Sequence, residues 1–118
     1  MSLRIYTYAK CSTCRDALKL LAERGVTAEV ISIREQPPTV AELRKMLGYL
    51  GGDMRRLFNS SGLDYRAMGL KERLPGMSED DALELLSKHG NLVKRPFALG
   101  TESGVVGFKR EVWEKFVR

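Results

Sequence analysis

A strand–helix–strand pattern at the N-terminus constrains the fold more than any other feature of this sequence. Leu3 to Tyr8 form a short β-prone run, and Ser12 to Arg24 carry apolar residues on one face of a helix that Gly25 ends. β-Branched residues return between Ala28 and Ile33, which predicts a second strand. These three elements form a βαβ unit, in which a right-handed crossover joins the two strands.

Helices are predicted through the middle of the chain. Pro37-Pro38 is a break, after which Thr39 and Glu42 form a capping box for a helix that runs to about Leu50. Gly51-Gly52 stops this helix. Further helical segments are predicted at 53–58, at 65–70 and from Ser78 to Gly90.

The last part of the chain returns to strands. Arg95-Pro96 leads into an extended segment at 97–99, a hairpin turn follows at 102–104, and a second strand is predicted at 105–108. A final helix at 111–117 places Trp113 and Phe116 in the core. Strands at both ends of a helical middle predict an α/β domain whose single sheet is assembled from distant segments.

The composition favours one globular domain over residues 1–118, with 43% hydrophobic and 30% charged residues. Basic residues are scattered among acidic ones despite a net charge of +5, so direct nucleic-acid binding is not expected. No apolar run approaches the roughly 20 residues of a membrane span, and the N-terminus does not resemble a signal peptide. We therefore expect a cytoplasmic protein, in which two closely spaced cysteines are more often catalytic, redox-active or metal-binding than structural.

Those cysteines form a Cys11-Ser12-Thr13-Cys14 motif where the first strand gives way to the helix. The free N–H groups and the dipole of a helix N-terminus stabilise a thiolate at Cys11, and Arg15 adds a positive charge. Cys14 lies on the same helical face, so the two sulfur atoms can meet and form a disulfide bond. The motif predicts Cys11 as the nucleophile and Cys14 as the resolving thiol.

The residues alone leave other interpretations open. The pair could be half of a zinc site, but there is no second cysteine pair and His89 is the single histidine, so no metal site is expected. Cys14 could instead be a small buried apolar residue beside a solitary Cys11, or both could be chemically idle. Local sequence also favours an ordinary trans peptide before Pro96.

The order and spacing of these motifs resemble the arsenate reductase (ArsC)-like family. That family includes glutaredoxin-coupled arsenate reductases and Spx-type transcriptional regulators. The resemblance extends over nearly the whole chain and rests on several segments: Ile5 through Cys14-Arg15, Pro37-Pro38-Thr39, Leu57-Phe58-Asn59 to Gly62, Tyr65-Arg66, Gly69-Leu70 and Arg95-Pro96.

The resemblance implies a thioredoxin-like three-layer domain with a mixed sheet and a helical insertion at about 36–90. It also implies that Cys11 is the nucleophile, that Arg15 belongs to the active-site loop, and that Arg95 faces the site before a Pro96 in the cis form. The expectation from local sequence at Pro96 is thereby reversed.

The sequence departs from the arsenate reductases at one substrate-binding position. Where they carry a second oxyanion-binding arginine, this chain places Asn59, and a third basic residue is either Lys109 or Arg110. Asparagine cannot replace the charged fork of an arginine. Those reductases also usually lack a cysteine at the position of Cys14. The presence of this cysteine is more typical of the Spx-type and uncharacterised branches of the family. Asn59 therefore argues against arsenate as the substrate.

Two functions follow as hypotheses. The first is a monomeric, glutathione- or glutaredoxin-coupled thiol reductase, which acts on a small thiol or a protein disulfide, binds no cofactor and uses glutathione as a co-substrate. The second is an Spx-like regulator that binds the RNA polymerase alpha subunit and uses the cysteine pair as a redox switch. Gly51-Gly52, near the family's partner-binding loop, supports the second hypothesis.

Overall fold

The strand that leads into the cysteine motif lies inside a mixed four-stranded sheet. In the computed structural model, which describes residues 2–117, the strand order is β2-β1-β3-β4. β1 pairs in parallel with β2 and antiparallel with β3, and β3 pairs antiparallel with β4. The strands are β1 (Arg4–Thr7), β2 (Glu29–Ser32), β3 (Phe97–Leu99) and β4 (Gly104–Val106). The predicted α/β class, the βαβ unit and the mixed sheet are confirmed.

Helices account for most of the remaining chain. The α-helices are α1 (Ser12–Glu23), α2 (Val40–Tyr49), α3 (Leu63–Ala67), α4 (Leu70–Arg73), α5 (Glu79–Lys88) and α6 (Arg110–Phe116). Short 3-10 helices cover Met54–Leu57, Leu74–Gly76 and Gly90–Leu92. No helix among residues 2–117 combines the length and the hydropathy that a membrane crossing needs.

The predicted helix boundaries are confirmed where the chain carries a strong local signal. Thr39 begins α2 with the predicted capping box: its side-chain oxygen accepts from the Glu42 N–H at 3.1 Å, and its own N–H donates to Glu42 Oε1 at 3.0 Å. The helical turn predicted at 53–58 is confirmed as a 3-10 helix, Met54–Leu57. The helix predicted at 65–70 is divided between α3 and α4, because Gly69 adopts a left-handed φ of 62°.

The sheet has a hydrophobic cluster on each face. Ile5 and Ala98 point toward α1 and α6, where they pack with Leu20 and Trp113. Neighbouring residues on the same strands point the other way, into a larger cluster under α2 and α5: Tyr6, Ile31, Phe97 and Leu99 with Leu43, Met46 and Leu83. This alternation gives the three-layer arrangement of helices, sheet and helices.

The C-terminal end of the helical segment between β2 and β3 is held against the middle of that segment and against the end of β2. Lys94 N–H donates to the Leu57 carbonyl and Asn59 N–H to the Leu92 carbonyl, each at 2.7 Å. Gly90 lies so close to the end of β2 that a Cβ atom there would be 1.8 Å from the Ile33 carbonyl oxygen. Only glycine permits this contact. The segment therefore sets the path of the chain into Arg95.

Candidate active site

Cys11 lies at the junction where β1 ends and α1 begins. It is the N-cap residue of α1, with extended backbone angles. Its N–H donates to the Tyr8 carbonyl at 3.0 Å and its carbonyl accepts from the Arg15 N–H at 3.1 Å. These two bonds fix the turn and hold a half-buried thiol at the start of a 12-residue helix, where the helix dipole favours negative charge.

The surroundings of Cys11 favour its thiolate. Burial acts to raise the pKa of the Cys11 thiol, but hydrogen bonds from Thr13, Cys14 and Arg95 outweigh it and lower the pKa to about 7. The Thr13 hydroxyl lies 3.1 Å from Cys11 Sγ. A substantial fraction of the thiol is therefore ionised at neutral pH, as nucleophilic chemistry requires.

Cys14 is in the opposite situation. Its side chain is buried on the inner side of α1 with 1% exposure. Burial raises the pKa of the Cys14 thiol to about 12; the Tyr8 backbone opposes this shift, and the Cys11 side chain adds to it. Both cysteines are free thiols in the structure. Cys14 is thus a protonated donor next to the Cys11 sulfur.

Arg95 reaches the site from the other end of the sequence. The Arg95–Pro96 peptide is cis, as the family resemblance implied. The Arg95 guanidinium carbon lies 4.8 Å from the centre of the Tyr8 ring, within cation–π range. Arg34 also approaches this ring, at 5.0 Å, and donates to Tyr8 Oη at 3.0 Å. The roles of Tyr8 and Arg34 were not predicted, because no motif distinguishes them from other strand-end residues.

Arg15 and Asn59, unlike Arg95, are not among the leading contributors to the low pKa of Cys11. The Arg15 side chain is exposed. Asn59 lines a hollow of about 420 Å³ together with Tyr8, Arg34 and Arg95. Its amide is engaged within its own loop region, with Nδ2 donating to the Asn91 carbonyl at 3.5 Å and Oδ1 accepting from Ser61 Oγ at 3.4 Å.

A second hollow, of about 460 Å³, begins at Thr13 and Arg95. We call it the basic cleft, because it is also lined by Arg55, Arg56, Lys94 and Lys109. Of the two alternatives for a third basic residue, Lys109 lines this cleft, whereas Arg110 forms ion pairs with Glu23 and Glu114 at 3.6 and 3.3 Å. Arg55 and Arg56 were not predicted as site residues. The sequence signal that could have found them is their position just before Leu57-Phe58, which belongs to the family resemblance.

The cysteines are not part of a metal-binding cluster in the described part of the chain. Among residues 2–117, no three side chains of the His, Cys, Asp and Glu types come together as a metal ion would need. The chemistry that the described residues can supply is therefore that of an activated thiol beside a second thiol and a guanidinium.

Comparisons with known proteins agree with this geometry. The model of the ArsC family matches residues 6–116. The chain is 47% identical over 115 residues to the uncharacterized protein YusI of Bacillus subtilis, covering 98% of each chain. It is 32% identical over 106 residues to an arsenate reductase of Neisseria meningitidis, covering 89% of each.

The solved structures extend this likeness to three dimensions. A crystal structure of an ArsC family related protein from Bacteroides fragilis superposes with a TM-score of 0.91 at 37% identity, covering 98% of this chain and 97% of the other. The predicted thioredoxin-like fold is confirmed by this match together with the mixed sheet. The whole folded chain is involved, from the strand before Cys11 to the last helix. This protein is a member of the ArsC family, and is arsenate reductase-like.

Proposed function

We propose that this protein is a thiol-dependent reductase in which Cys11 attacks a disulfide or a glutathione-linked sulfur. The observation that supports it most directly is the half-buried Cys11 thiol at a helix start, with its pKa lowered to about 7 by hydrogen bonds. A thiolate that is populated at neutral pH is the reactive form in thiol–disulfide exchange. Cys14 and Arg95 supply the neighbouring groups.

The reaction proceeds in two exchanges. The Cys11 thiolate attacks one sulfur of a disulfide RS–SR′, forms the mixed disulfide Cys11–S–S–R and releases R′S⁻, which takes up a proton from water. Cys14 then loses its proton and attacks Cys11 Sγ, which forms a Cys11–Cys14 disulfide and releases RS⁻. Two electrons pass from the dithiol to the substrate. Two glutathione molecules return the enzyme to the dithiol form and leave as glutathione disulfide.

Glutathione can also act without Cys14. In that route one glutathione attacks Cys11 Sγ of the mixed disulfide, releases RSH and leaves a Cys11–glutathione disulfide. A second glutathione attacks the glutathione sulfur, releases the Cys11 thiolate and leaves as glutathione disulfide. Burial and the high pKa of Cys14 slow its attack until the first exchange disturbs its surroundings. Mass spectrometry of the oxidised protein distinguishes the routes, since it detects either an internal disulfide or a glutathione adduct on Cys11.

Arsenate is not part of the proposal, although several relatives are arsenate reductases, as in Neisseria meningitidis. Asn59 carries no charge, and its amide is already engaged by Asn91 and Ser61. A tetrahedral oxyanion at Cys11 would be held by Arg95 without a charged fork from Asn59.

The proposal is tested with bis(2-hydroxyethyl) disulfide and glutathione, coupled to glutathione reductase and NADPH consumption. Wild-type protein is expected to accelerate the reaction, and Cys11→Ser is expected to abolish the acceleration. Cys14→Ser retains activity if glutathione resolves the intermediate and loses it if Cys14 does. Arsenate replaces the disulfide in a parallel assay.

Cys11→Ala provides a second variant without the thiol, and circular dichroism verifies that both variants fold. Acceleration that survives in a folded Cys11→Ser protein contradicts the proposal, as does a wild-type rate equal to the glutathione background.

A second candidate is an Spx-like regulator, favoured by the surface next to Gly51-Gly52. Both glycines are exposed and adopt left-handed φ values of 71° and 84°. Gly52 borders a hollow of about 500 Å³ that Met54, Tyr65 and Met77 also line, and methionine-rich surfaces adapt to partners. A pull-down with the C-terminal domain of the RNA polymerase alpha subunit tests this role; absence of binding by both the reduced and the oxidised protein removes it.

A further inference from the structure

The basic cleft has an unusual distribution of charge. Five cationic side chains line it: Arg55, Arg56, Lys94, Arg95 and Lys109. No aspartate or glutamate is among its lining residues. Like charges grouped around a concave surface with apolar walls produce a strong local potential for anions.

Partners within the protein do not neutralise these cations. In the described part of the chain, the ion pairs use Arg4, Arg24, Arg44, Lys88 and Arg110, and none uses a cation of the cleft. Asp53 lies two residues before Arg55, and its carboxylate accepts a hydrogen bond from the Arg55 backbone N–H at 3.3 Å rather than from the guanidinium. The charges of Arg55, Arg56, Lys94 and Lys109 are therefore available to a ligand, while Arg95 is engaged with Cys11 and Tyr8.

Two residues that line the cleft also interact with the Cys11 thiol. Thr13 lines it and also lies 3.1 Å from Cys11 Sγ. Arg95 lines it and contributes to the low pKa of Cys11. A molecule bound in the cleft can therefore present a sulfur atom to Cys11 from the end at Thr13 and Arg95, while Arg55, Arg56 and Lys109 lie along its walls.

The remaining lining residues give the cleft an apolar component. Phe58, Val106, Phe108 and Val112 contribute to its walls. Lys94 packs closely against Gly107, where a Cβ atom would lie 3.1 Å from Lys94 Cε. The volume of about 460 Å³ lies within the usual range of small-ligand sites, roughly 300–1,000 Å³.

We propose that the basic cleft is an anion subsite, which binds carboxylate groups of the substrate remote from its sulfur. This inference rests on the proposed function and narrows its substrate class to small disulfides that carry two or more carboxylates. The carboxylates pair with Arg55, Arg56, Lys94 and Lys109 while Cys11 attacks the disulfide. The bonds formed and broken are those of the two exchanges above.

Three small disulfides of different charge test the proposal. These are 3,3′-dithiodipropionate, which is dianionic, bis(2-hydroxyethyl) disulfide, which is neutral, and cystamine, which is dicationic. Reduced protein is mixed with each disulfide, and the second-order rate constant of a single turnover is measured. We expect the dianionic disulfide to react about tenfold or more faster than the neutral one at low salt, and cystamine to be slowest. Added salt reduces these ratios.

Variants then locate the effect. Arg55→Gln and Arg56→Gln each remove one cleft charge and are expected to reduce the dianionic-to-neutral ratio severalfold, with little change in the neutral rate. Lys19→Gln is the matched control, because it removes an exposed charge from α1 outside the cleft. A ratio near one in wild type overturns the proposal, as does a ratio that the cleft variants leave unchanged.

Failure of this inference is distinguishable from failure of the proposed function. If the neutral disulfide is consumed through Cys11 but charge makes no difference, the function stands and the subsite does not. If no disulfide is consumed, binding of 3,3′-dithiodipropionate to folded Cys11→Ser is measured by NMR. Shifts of the Gly107 and Lys109 amides that Arg56→Gln weakens support the subsite, and absence of such shifts rejects it.

Discussion

Cys11 and Cys14 lie one helical turn apart, yet their thiols have very different pKa values. The pKa of Cys11, on the solvent side of the turn, is lowered to about 7, and the pKa of Cys14, on the core side, is raised to about 12. Burial acts on both thiols in the same direction. They differ in the groups that reach the sulfur. Hydrogen bonds from Thr13, Cys14 and Arg95 favour the thiolate of Cys11, whereas at Cys14 the Tyr8 backbone and the charge of Arg95 are outweighed by burial and by Cys11. The first turn of α1 thus separates the reactive thiol of Cys11 from the buried, protonated thiol of Cys14.

Selective alkylation gives the largest expected contrast between them. In native protein at pH 7, a pulse of iodoacetamide is expected to label Cys11 at least about a hundredfold faster than Cys14. The difference in thiolate fraction is partly offset by the lower intrinsic nucleophilicity of a low-pKa thiolate, and burial of Cys14 adds to the contrast. Peptide mass spectrometry measures both rates. Unfolded protein serves as the control, with two similar rates; similar rates in the native protein contradict the assignment.

The Thr13 hydroxyl is the feature of the solvent side that is simplest to remove. Thr13→Val preserves shape but deletes the donor at 3.1 Å from Cys11 Sγ, and is expected to raise the pKa of Cys11 by about one unit. Thr13→Ser keeps the hydroxyl and is expected to leave the pKa near 7. The absorbance of the thiolate at 240 nm against pH measures it. An unchanged pKa in Thr13→Val shows that the hydroxyl does not act on the thiol.

The same contrast is expected in the pH dependence of stability. The ordinary thiol pKa is 9.0. Between about pH 7 and 9 the unfolded state binds the Cys11 proton and the folded state does not, so the free energy of unfolding rises with pH. Between about pH 9 and 12 the folded state keeps the Cys14 proton that the unfolded state loses, so the free energy of unfolding falls.

Urea unfolding under reducing conditions measures these two trends. Other groups titrate above pH 9, so each contribution is the difference between wild type and a Cys→Ala variant. Cys11→Ala is expected to lose the rise between pH 7 and 9, and Cys14→Ala to lessen the fall at higher pH. If the free energy of unfolding of the wild type and of both variants changes with pH in the same way, the opposite pKa shifts of the two thiols are contradicted.

Local signals were sufficient to predict the frame of the site. Cys11 at a helix start, the Thr39 capping box and the glycine that ends α1 depend on neighbours within a few residues. The position of Arg95 depends on a tertiary approach, and the residues alone predicted a trans peptide before Pro96; the cis form was expected only from the family resemblance. Arg56 escaped prediction for a similar reason, since its place in the basic cleft depends on how the helical segment docks against α6 and β4.

The ties between Leu57 and Lys94, and between Asn59 and Leu92, have a consequence for the nascent chain. Cys11 leaves the ribosome some eighty residues before Arg95, and the contacts that unite them are long-range contacts, which form slowly. Until the helical segment docks and delivers Arg95, the Cys11 sulfur lacks one of the donors that stabilise its thiolate. The thiol thus gains its full reactivity only after Arg95 has been made and has docked, so a chain that stops before Arg95 carries a less reactive Cys11.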